Sequence, residues 1–458
     1  MSGMKMGGGQ AGQAGGGGAM PGSGMNMPGM SGMGMGGSMM DMTSTVDLLA
    51  PMSGEGSGTS WLPASSPMYG KAIMYGRNML MLHGALTPRY TYVPTPRGDS
   101  KVTAPNWFMA MYSHPLGTTD QLGLRLMMSL DPITVGGAGY PLLFQTGESW
   151  HGVALHDHQH PHDLFSELSA TYSRRFGPHS AYLYVGYPGE PALGPPTFMH
   201  RLIAYDLPDA PLSHHWMDSA HITFGVATVG VDIARRVKLE SSVFTGREPN
   251  ENRYNFDPAR FDSQSGRVTW NPDANDSFQI SYGFLKSPEG LNLTANQHRV
   301  TASYLYNLPL GADANVTTTL AFGQNNTGAE GKTNAYLAEA DYQRERNAFF
   351  ARLENVQKSG HELVLPAPYE TGKYNVGAYT FGYLRDLTHG TGIDTGVGGS
   401  ITVNGKPSGL DPIYGRATPV GFQIMLRFRP SRMSMAGGMA GMGGMHGKQT
   451  LRGGSPGM

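Results

Sequence analysis

The feature that most constrains this chain is an alternation of apolar and polar residues with a period of two. It recurs from about residue 70 to residue 429. In the segment 335–343, apolar side chains alternate with a polar set that includes Glu339 and Asp341, and the segments 232–245 and 420–428 repeat the pattern, each predicted as one strand. Because successive side chains of a β-strand point to opposite faces, this period predicts strands and not helices.

The strands are predicted to close into a barrel that spans a membrane. Alternating segments of about ten residues are joined by short polar turns such as 271–276 and 344–346. Only 39% of the residues are hydrophobic, which suits a barrel that is apolar outside and polar inside. The chain has no apolar run long enough for a transmembrane helix. The predicted fold class is all-β, an antiparallel transmembrane β-barrel of about 12–16 strands in the cell outer membrane, surrounded by its lipid.

Composition excludes several classes of function. The 33 basic residues nearly balance the 34 acidic ones, which argues against a nucleic-acid partner. The chain has no cysteine, which excludes thiolate zinc sites, disulfide frameworks and cysteine nucleophiles.

The two ends of the chain differ from the middle. Residues 1–42 contain 16 glycines and 12 methionines, and residues 433–458 repeat this style. Such segments cannot bury a core, so we predict a disordered arm over 1–69, a barrel over 70–429 and a disordered tail over 430–458. Thioethers suit Cu(I), so the methionine-rich ends predict capture of copper. The N-terminus lacks the apolar stretch of an ordinary signal peptide.

Histidines are concentrated in one segment, about 148–221, which we predict to be a loop. Ten of the 16 histidines lie between residues 151 and 221. Four of them are spaced by two and would project from one side of an extended chain. The candidate metal ligands of this segment are His151, His156, Asp157, His158, His160, His162, Asp163, Met199, His200, His214, His215, Met217 and His221.

These residue types predict a transition-metal site. Imidazole suits Cu(II), Zn(II) and Ni(II), and methionine beside histidine favours copper, with zinc as the alternative ion. Asp157 and Asp163 could orient the imidazole rings or bind the ion directly. Since a barrel has no energy source, active export would need a periplasmic metal-handling partner. The sequence gives no oligomeric state.

The sequence resembles Gram-negative outer-membrane β-barrel proteins over about residues 70–429. The hairpin 265–284 has their style, and the strand that ends at Phe428 is similar to their terminal strand. About 30 residues follow Phe428, whereas such an aromatic residue usually ends the chain in that family. The histidine-rich segment and the methionine-rich ends more narrowly resemble barrels associated with copper resistance, which implies a role in metal tolerance.

Three other functions remain open. The chain could be a general or substrate-specific porin in which histidine and methionine are incidental, or a barrel without a pore. It could also be a barrel enzyme, since Ser149 lies near His151, but the GxSxG pattern is missing. We therefore expect no catalytic residues.

Overall fold

The computed structural model describes residues 42–328, 331–415 and 417–433, which form an antiparallel β-structure. Residues 1–41 and 434–458 lie outside the described residues. The predictions of disorder and of copper capture at these two ends therefore stay predictions. The strands are β1 Lys71–Tyr75, β2 Asn78–Leu86, β3 Arg89–Tyr92, β4 Ser100–Thr103, β5 Asn106–Pro115, β6 Asp120–Met128, β7 Tyr140–Trp150, β8 Val153–Gln159, β9 Phe165–Phe176, β10 His179–Gly186, β11 Val226–Ile233, β12 Val237–Phe244, β13 Ser263–Trp270, β14 Asp276–Leu285, β15 Gln297–Gly311, β16 Ala314–Asn326, β17 Lys332–Arg344, β18 Asn347–Ser359, β19 Lys373–Asp386, β20 Ile393–Gly405 and β21 Val420–Pro430.

Helices are short and lie between the strands. The α-helices are α1 Asp131–Thr134, α2 His214–Met217 and α3 Asp411–Tyr414. The 3₁₀ turns are Met52–Gly54, Phe198–His200, Leu202–Tyr205, Ser219–His221 and Ser408–Leu410. Within the described residues, no helix has the length and apolar character needed to cross a membrane.

The strands close into a barrel of 16. Each barrel strand pairs with its sequence neighbours, and β21 closes the ring against β3 and the end of β2. β2 and β3 are two parts of one barrel strand, and β4 and β5 are two parts of the next, each with a short interruption. β1 forms a hairpin with β2 beside this seam, and β7 pairs with β8 in a separate two-stranded sheet. The predicted fold class and strand range are confirmed.

The observed faces of the strands follow the alternation of the sequence. In β17, Glu339 and Asp341 are 2% and 1% exposed and point inward, whereas Tyr336 is 54% exposed on the outside. In β21, Arg427 is buried inside the barrel and Ile424 is 68% exposed. These two strands therefore place charged groups inside the barrel and apolar side chains outside it.

The outer surface is that of an outer-membrane barrel. Trp270, Phe278 and Tyr304 form an outward-facing row with ring centres 5.3 and 4.6 Å apart, near the short turns. Aromatic residues at the edge of an apolar belt mark the membrane interface of such barrels. A closed barrel leaves no strand edge in the lipid, so every backbone group of the wall can be paired. The predicted location in the outer membrane agrees with this surface.

The two ends of the barrel carry different connections. Short turns, such as 177–178 and 345–346, join strands at one end, where residue 433 also lies. Long segments, above all 129–164 and 187–225, join strands at the other end. Barrels of this type have short turns on the periplasmic side and long loops outside the cell. The histidine-bearing segments therefore belong to the extracellular end.

Two boundaries differ from the sequence prediction. The alternating stretch 232–245 would be one strand, but Ala234 and Arg235 have φ angles of 56° and 60° and turn the chain between β11 and β12. The predicted histidine-rich loop 148–221 is likewise interrupted, because β9 and β10 belong to the barrel wall. The polar residues of β9 face the barrel interior, so the sequence alone does not distinguish them from a loop.

The interior of the barrel is occupied by chain segments. Residues 187–225 are almost entirely buried there, and so is much of 42–69. The predicted disordered arm over 1–69 is therefore wrong for residues 42–69. Arg125 of β6 holds this stretch by donating to Thr45 Oγ1 at 2.9 Å and by pairing with Glu55. At Gly123, a Cβ atom would lie 1.9 Å from the Thr45 carbonyl oxygen, so glycine permits this close approach.

A charge on the outer face should destabilise the barrel in lipid. Ile424→Arg places a guanidinium on the apolar surface of β21, and we expect a loss of about 2–4 kcal/mol in the free energy of unfolding if the site is near the bilayer midplane. Denaturant titration of the protein refolded in lipid vesicles measures this, with Ile424→Leu as the control. Equal stability of the two variants would show that this face does not meet hydrocarbon.

Candidate metal centre within the barrel

Arg201 ties the segment 187–225 to the barrel wall. Its guanidinium donates to Glu339 of β17 at 2.8 and 3.1 Å and to Asp218 at 2.7 Å. A further bond of 2.9 Å reaches the Pro196 carbonyl oxygen. Arg352 of β18 donates to the same Glu339 at 2.9 Å. A buried arginine with carboxylates on two sides fixes the inserted segment to the lumen wall.

Asp218 connects Arg201 to a histidine. One of its oxygens accepts the Arg201 bond, and the other lies 2.7 Å from His214 Nδ1. Burial acts against the charged form, but His214 and Arg201 together lower the pKa of Asp218. Asp218 is therefore a carboxylate that holds the His214 ring from its Nδ1 side.

Five histidines gather beside this carboxylate. We call His160, His162, His214, His215 and His221 the His cluster. Ring centres lie 5.1 Å apart for His214 and His221, 5.2 Å for His214 and His215, and 5.4 Å for His162 and His221. His160 lies 6.2 Å from His215 and 6.5 Å from His162. All five residues are at most 9% exposed. The structure thus brings together five of the predicted ligands from two separate loops.

The nitrogens of the His cluster divide into held and unpartnered atoms. Each Nδ1 has a partner: His162 contacts Asp131 at 2.8 Å, and His215 contacts Glu248 at 3.2 Å. His160 and His221 use the carbonyl oxygens of Pro161 and Asp218. The buried Nε2 atoms without a hydrogen-bond partner among the described residues are those of His160, His162, His215 and His221. A ring held at Nδ1 with Nε2 available is the usual arrangement of a metal-binding histidine.

An open cavity leads from the loop end of the barrel toward these rings. It measures about 580 Å³, and Glu148 and Glu248 are among its lining residues. Glu248 contacts His215, and Glu148 Oε1 lies 3.2 Å from His160 Nε2, in a geometry that is not a hydrogen bond. The lining carries four carboxylates, with Glu251 and Asp257 beside these two, against the guanidinium groups of Arg247 and Arg260. Glu148 is also paired with Arg253. The remaining excess of acidic groups would attract a cation toward the imidazoles.

Protonation differs within the His cluster. Burial lowers the pKa of His160 and that of His221 well below the usual imidazole range, and the nearby Arg253 adds to this effect at His160. Burial also lowers the pKa of His214, in spite of Asp218. For His215, the contact with Glu248 outweighs burial and raises the pKa. Three rings are therefore neutral and able to bind a metal near pH 7, whereas His215 must compete with a proton.

The predicted row of four histidines does not form. His156 and His158 lie on β8, but Asp157 between them has a φ angle of 55°, and the chain leaves the strand after Gln159. The regular extended spacing is therefore lost. His156 and Asp157 contact Arg97, and Asp157 also accepts a 2.8 Å bond from the Phe144 amide. His158 lies 3.4 Å from Asp99.

The other predicted ligands have separate places. His151 is exposed in the turn after β7, and Asp163 lies 3.5 Å from Arg253. Burial raises the pKa of Asp163 to about 7. Met217 packs in an apolar cluster with Trp216. Met199 and His200 lie on the other side of the inserted segment, away from the His cluster.

Several functional candidates were missed by sequence reasoning. Asp131, Glu148 and Glu248 contact the His cluster, but no sequence spacing links them. Asp131 and Glu148 lie 17 residues apart in the connection 129–164, and Glu248 follows β12. Among the described residues, one set of three histidine or carboxylate side chains has its ligand atoms within 4.8 Å of one another. It consists of Asp386, His389 and Asp394. Asp386 pairs with Arg427, so this set already has a cation. The imidazoles of the His cluster stand further apart, so binding one ion would require side-chain rotation.

The enzyme alternative finds no support at Ser149. The Ser149 hydroxyl donates to Glu251, and His151 packs on Trp150 with ring centres 4.3 Å apart. The Ser149 hydroxyl therefore hydrogen-bonds to a carboxylate and not to the imidazole of the neighbouring His151.

Comparison with solved structures finds outer-membrane barrels of similar architecture. The anion-selective porin of Comamonas acidovorans matches with 12% identity and a TM-score of 0.47, over 77% of this chain and 100% of the porin. Salmonella typhi OmpF, in complex with daunomycin, matches with 10% identity and a TM-score of 0.48, over 78% and 100%. A loop-deletion mutant of the Vibrio cholerae outer-membrane protein OmpT matches with 8% identity and a TM-score of 0.45, over 77% and 99%. The sequence matches no protein-family model, and comparison with curated proteins also gives no match.

Removing the charge of Asp218 should loosen the inserted segment. Asp218→Asn leaves Arg201 with one carboxylate fewer in a buried place, and breaking such a pair costs about 3–5 kcal/mol. We expect limited proteolysis to cut within 187–225 while the barrel stays folded. Asp313→Asn, at an exposed turn, is the control. Equal protease resistance of both variants would contradict a holding role for Asp218.

His215 should titrate at a higher pH than a free imidazole because Glu248 stabilises its protonated form. In Glu248→Gln this attraction is lost, burial remains, and the pKa of His215 should fall. Histidine NMR in detergent micelles measures the shift, with the signal assigned through His215→Gln. Glu251→Gln should leave the midpoint of His215 in place. A midpoint unchanged in Glu248→Gln would show that this contact does not set the protonation of His215.

Proposed function

We propose that this protein is a porin-type outer-membrane channel whose constricted lumen binds a transition-metal ion, with copper as the first ion and zinc as the second. The His cluster carries the proposal. Four of its rings are held at Nδ1, and the Nε2 atom of each is buried without a hydrogen bond among the described residues. Leaving a buried polar atom unpaired costs about 1–3 kcal/mol, and a bound metal ion would remove this cost for each ligand.

Several features support metal as the cargo. The three imidazoles with lowered pKa values need lose no proton near pH 7, and nitrogen ligands suit Cu(II) and Zn(II). The cavity lined by Glu148 and Glu248 supplies an approach from the extracellular end. A passive barrel would deliver or hold the ion according to its gradient, so net export would need a periplasmic partner.

The alternative is a general or substrate-specific porin in which the imidazoles are incidental. Its support is the barrel itself, since a wall of 16 strands encloses enough room for an aqueous channel. Against free diffusion stand the segments 42–69 and 187–225, which occupy that room.

Metal binding by the refolded full-length chain tests the proposal. In calorimetric titration with Cu(II) and Zn(II), we expect binding that weakens at least about tenfold in the triple variant His162→Gln/His215→Gln/His221→Gln. The matched control is His179→Gln/His298→Gln, which changes two histidines outside the His cluster. Equal affinity of wild type and triple variant for both ions would overturn the proposed metal site.

Conductance separates the two kinds of channel. In planar bilayers, micromolar Cu(II) or Zn(II) should reduce the ion current of the wild type and leave that of the triple variant unchanged. A large current that is insensitive to metal in both proteins would favour the general porin.

A further inference from the structure

A second group of metal-binding residue types lines a different part of the lumen. Ten methionines share one apolar cluster, which we call the Met chamber: Met42, Met52, Met68, Met79, Met81, Met109, Met111, Met127, Met199 and Met433. Five of them point inward from the adjacent strands β2, β5 and β6. The inserted segments 42–69 and 187–225 close the chamber from the lumen side.

Two imidazoles project into the Met chamber. His83 of β2 and His200 flank Trp107, with ring centres 5.1 Å from the indole in each case and 6.0 Å from each other. His200 Nε2 lies 3.4 Å from Met127 Sδ. His83 Nε2 is buried and has no hydrogen-bond partner among the described residues. A thioether and a ring nitrogen this close can bind one ion together.

Packing alone explains the Met chamber poorly. Its described members include no leucine, isoleucine or valine, whereas the other three apolar clusters of the interior are built largely from these residues. Those three clusters contain two methionines between them, Met217 and Met425. A single methionine often fills an irregular gap, but ten thioethers with two imidazoles form a set of soft ligands.

The charge of the Met chamber suits a monovalent ion. Burial, with smaller contributions from His83 and Arg125, lowers the pKa of His200 to about 3, so the His200 ring is neutral. Arg125 itself is paired with Glu55 and Glu167, so its charge is compensated. Thioether and neutral imidazole ligands add no charge, and they select Cu(I) over harder divalent ions.

We propose that the Met chamber is a binding site for a soft monovalent metal ion of the Cu(I) class, held by thioethers of β5 and β6 together with the imidazole of His200. This site is separate from the His cluster and takes a different class of ion. Phe198 lies between the two, since it packs in the Met chamber and its ring lies 5.2 Å from that of His214.

Ag(I), a redox-inert probe for Cu(I), tests the proposal. The full-length wild type and Met109→Leu/Met111→Leu/Met127→Leu are titrated in competition with a chelator. Leucine keeps the volume and removes the sulfur, so the fold should persist. Both proteins carry the same terminal methionines, so a difference between them belongs to the Met chamber. We expect the variant to lose at least one tightly bound Ag(I), with at least about a tenfold fall in affinity at that site.

The matched control is Met74→Leu/Met128→Leu/Met425→Leu, which removes three thioethers outside the Met chamber and should bind Ag(I) as the wild type does. Trp107 gives a local signal, because Ag(I) in the Met chamber should quench its fluorescence and Trp107→Phe should abolish that change. If the first triple variant fails to fold, His200→Gln replaces it, with weaker Ag(I) binding as the expected result.

Wild-type Ag(I) binding in a folded triple variant, or in His200→Gln where that variant replaces it, would show that the Met chamber is packing only. The two proposals fail separately. Substitution in the His cluster should remove Zn(II) binding and leave Ag(I) binding unchanged. Substitution in the Met chamber should remove Ag(I) binding and leave Zn(II) binding unchanged.

Discussion

A guanidinium removed from water inside a barrel is stable only when carboxylates accompany it, and the interior of this protein is organised around that requirement. Arg201 carries a charge into the lumen on a segment whose regular structure is limited to short helical turns. Glu339 on the wall and Asp218 on the segment compensate this charge, and Asp218 also holds His214. The position of the His cluster therefore depends on a charge pair that contributes no metal ligand.

The sequence was sufficient for the wall of the barrel. Glu339 and Arg427 alternate with apolar residues along their strands. Because a charge cannot face the lipid, each strand must turn its charged face inward, so the faces of β17 and β21 follow from the alternation. The same rule failed at Ala234 and Arg235, because neither residue type signals a turn with positive φ.

The interior was less accessible to sequence reasoning. Residues 42–69 continue the composition of a disordered arm, yet contacts with distant wall residues such as Arg125 order them. The expected row of histidines depended on an extended backbone, and the φ angle of Asp157 breaks it. The Met chamber was not recognised from the sequence, because its thioethers are spread over three wall strands and two inserted segments that fold against them.

The inserted segment 187–225 also affects the barrel mechanically. Its amides bond to Ser242 of β12 and Ser281 of β14, and its Arg201 reaches Glu339 of β17, so it is tied to separate parts of the circumference. An empty tube can flatten into an oval under lateral pressure from the bilayer, because its hydrogen bonds resist only sliding of the strands. A tube tied across its interior must break these bonds to flatten. We therefore expect the cross-section of this barrel, and the spacings between the side chains that line it, to change less under membrane tension than those of an empty barrel.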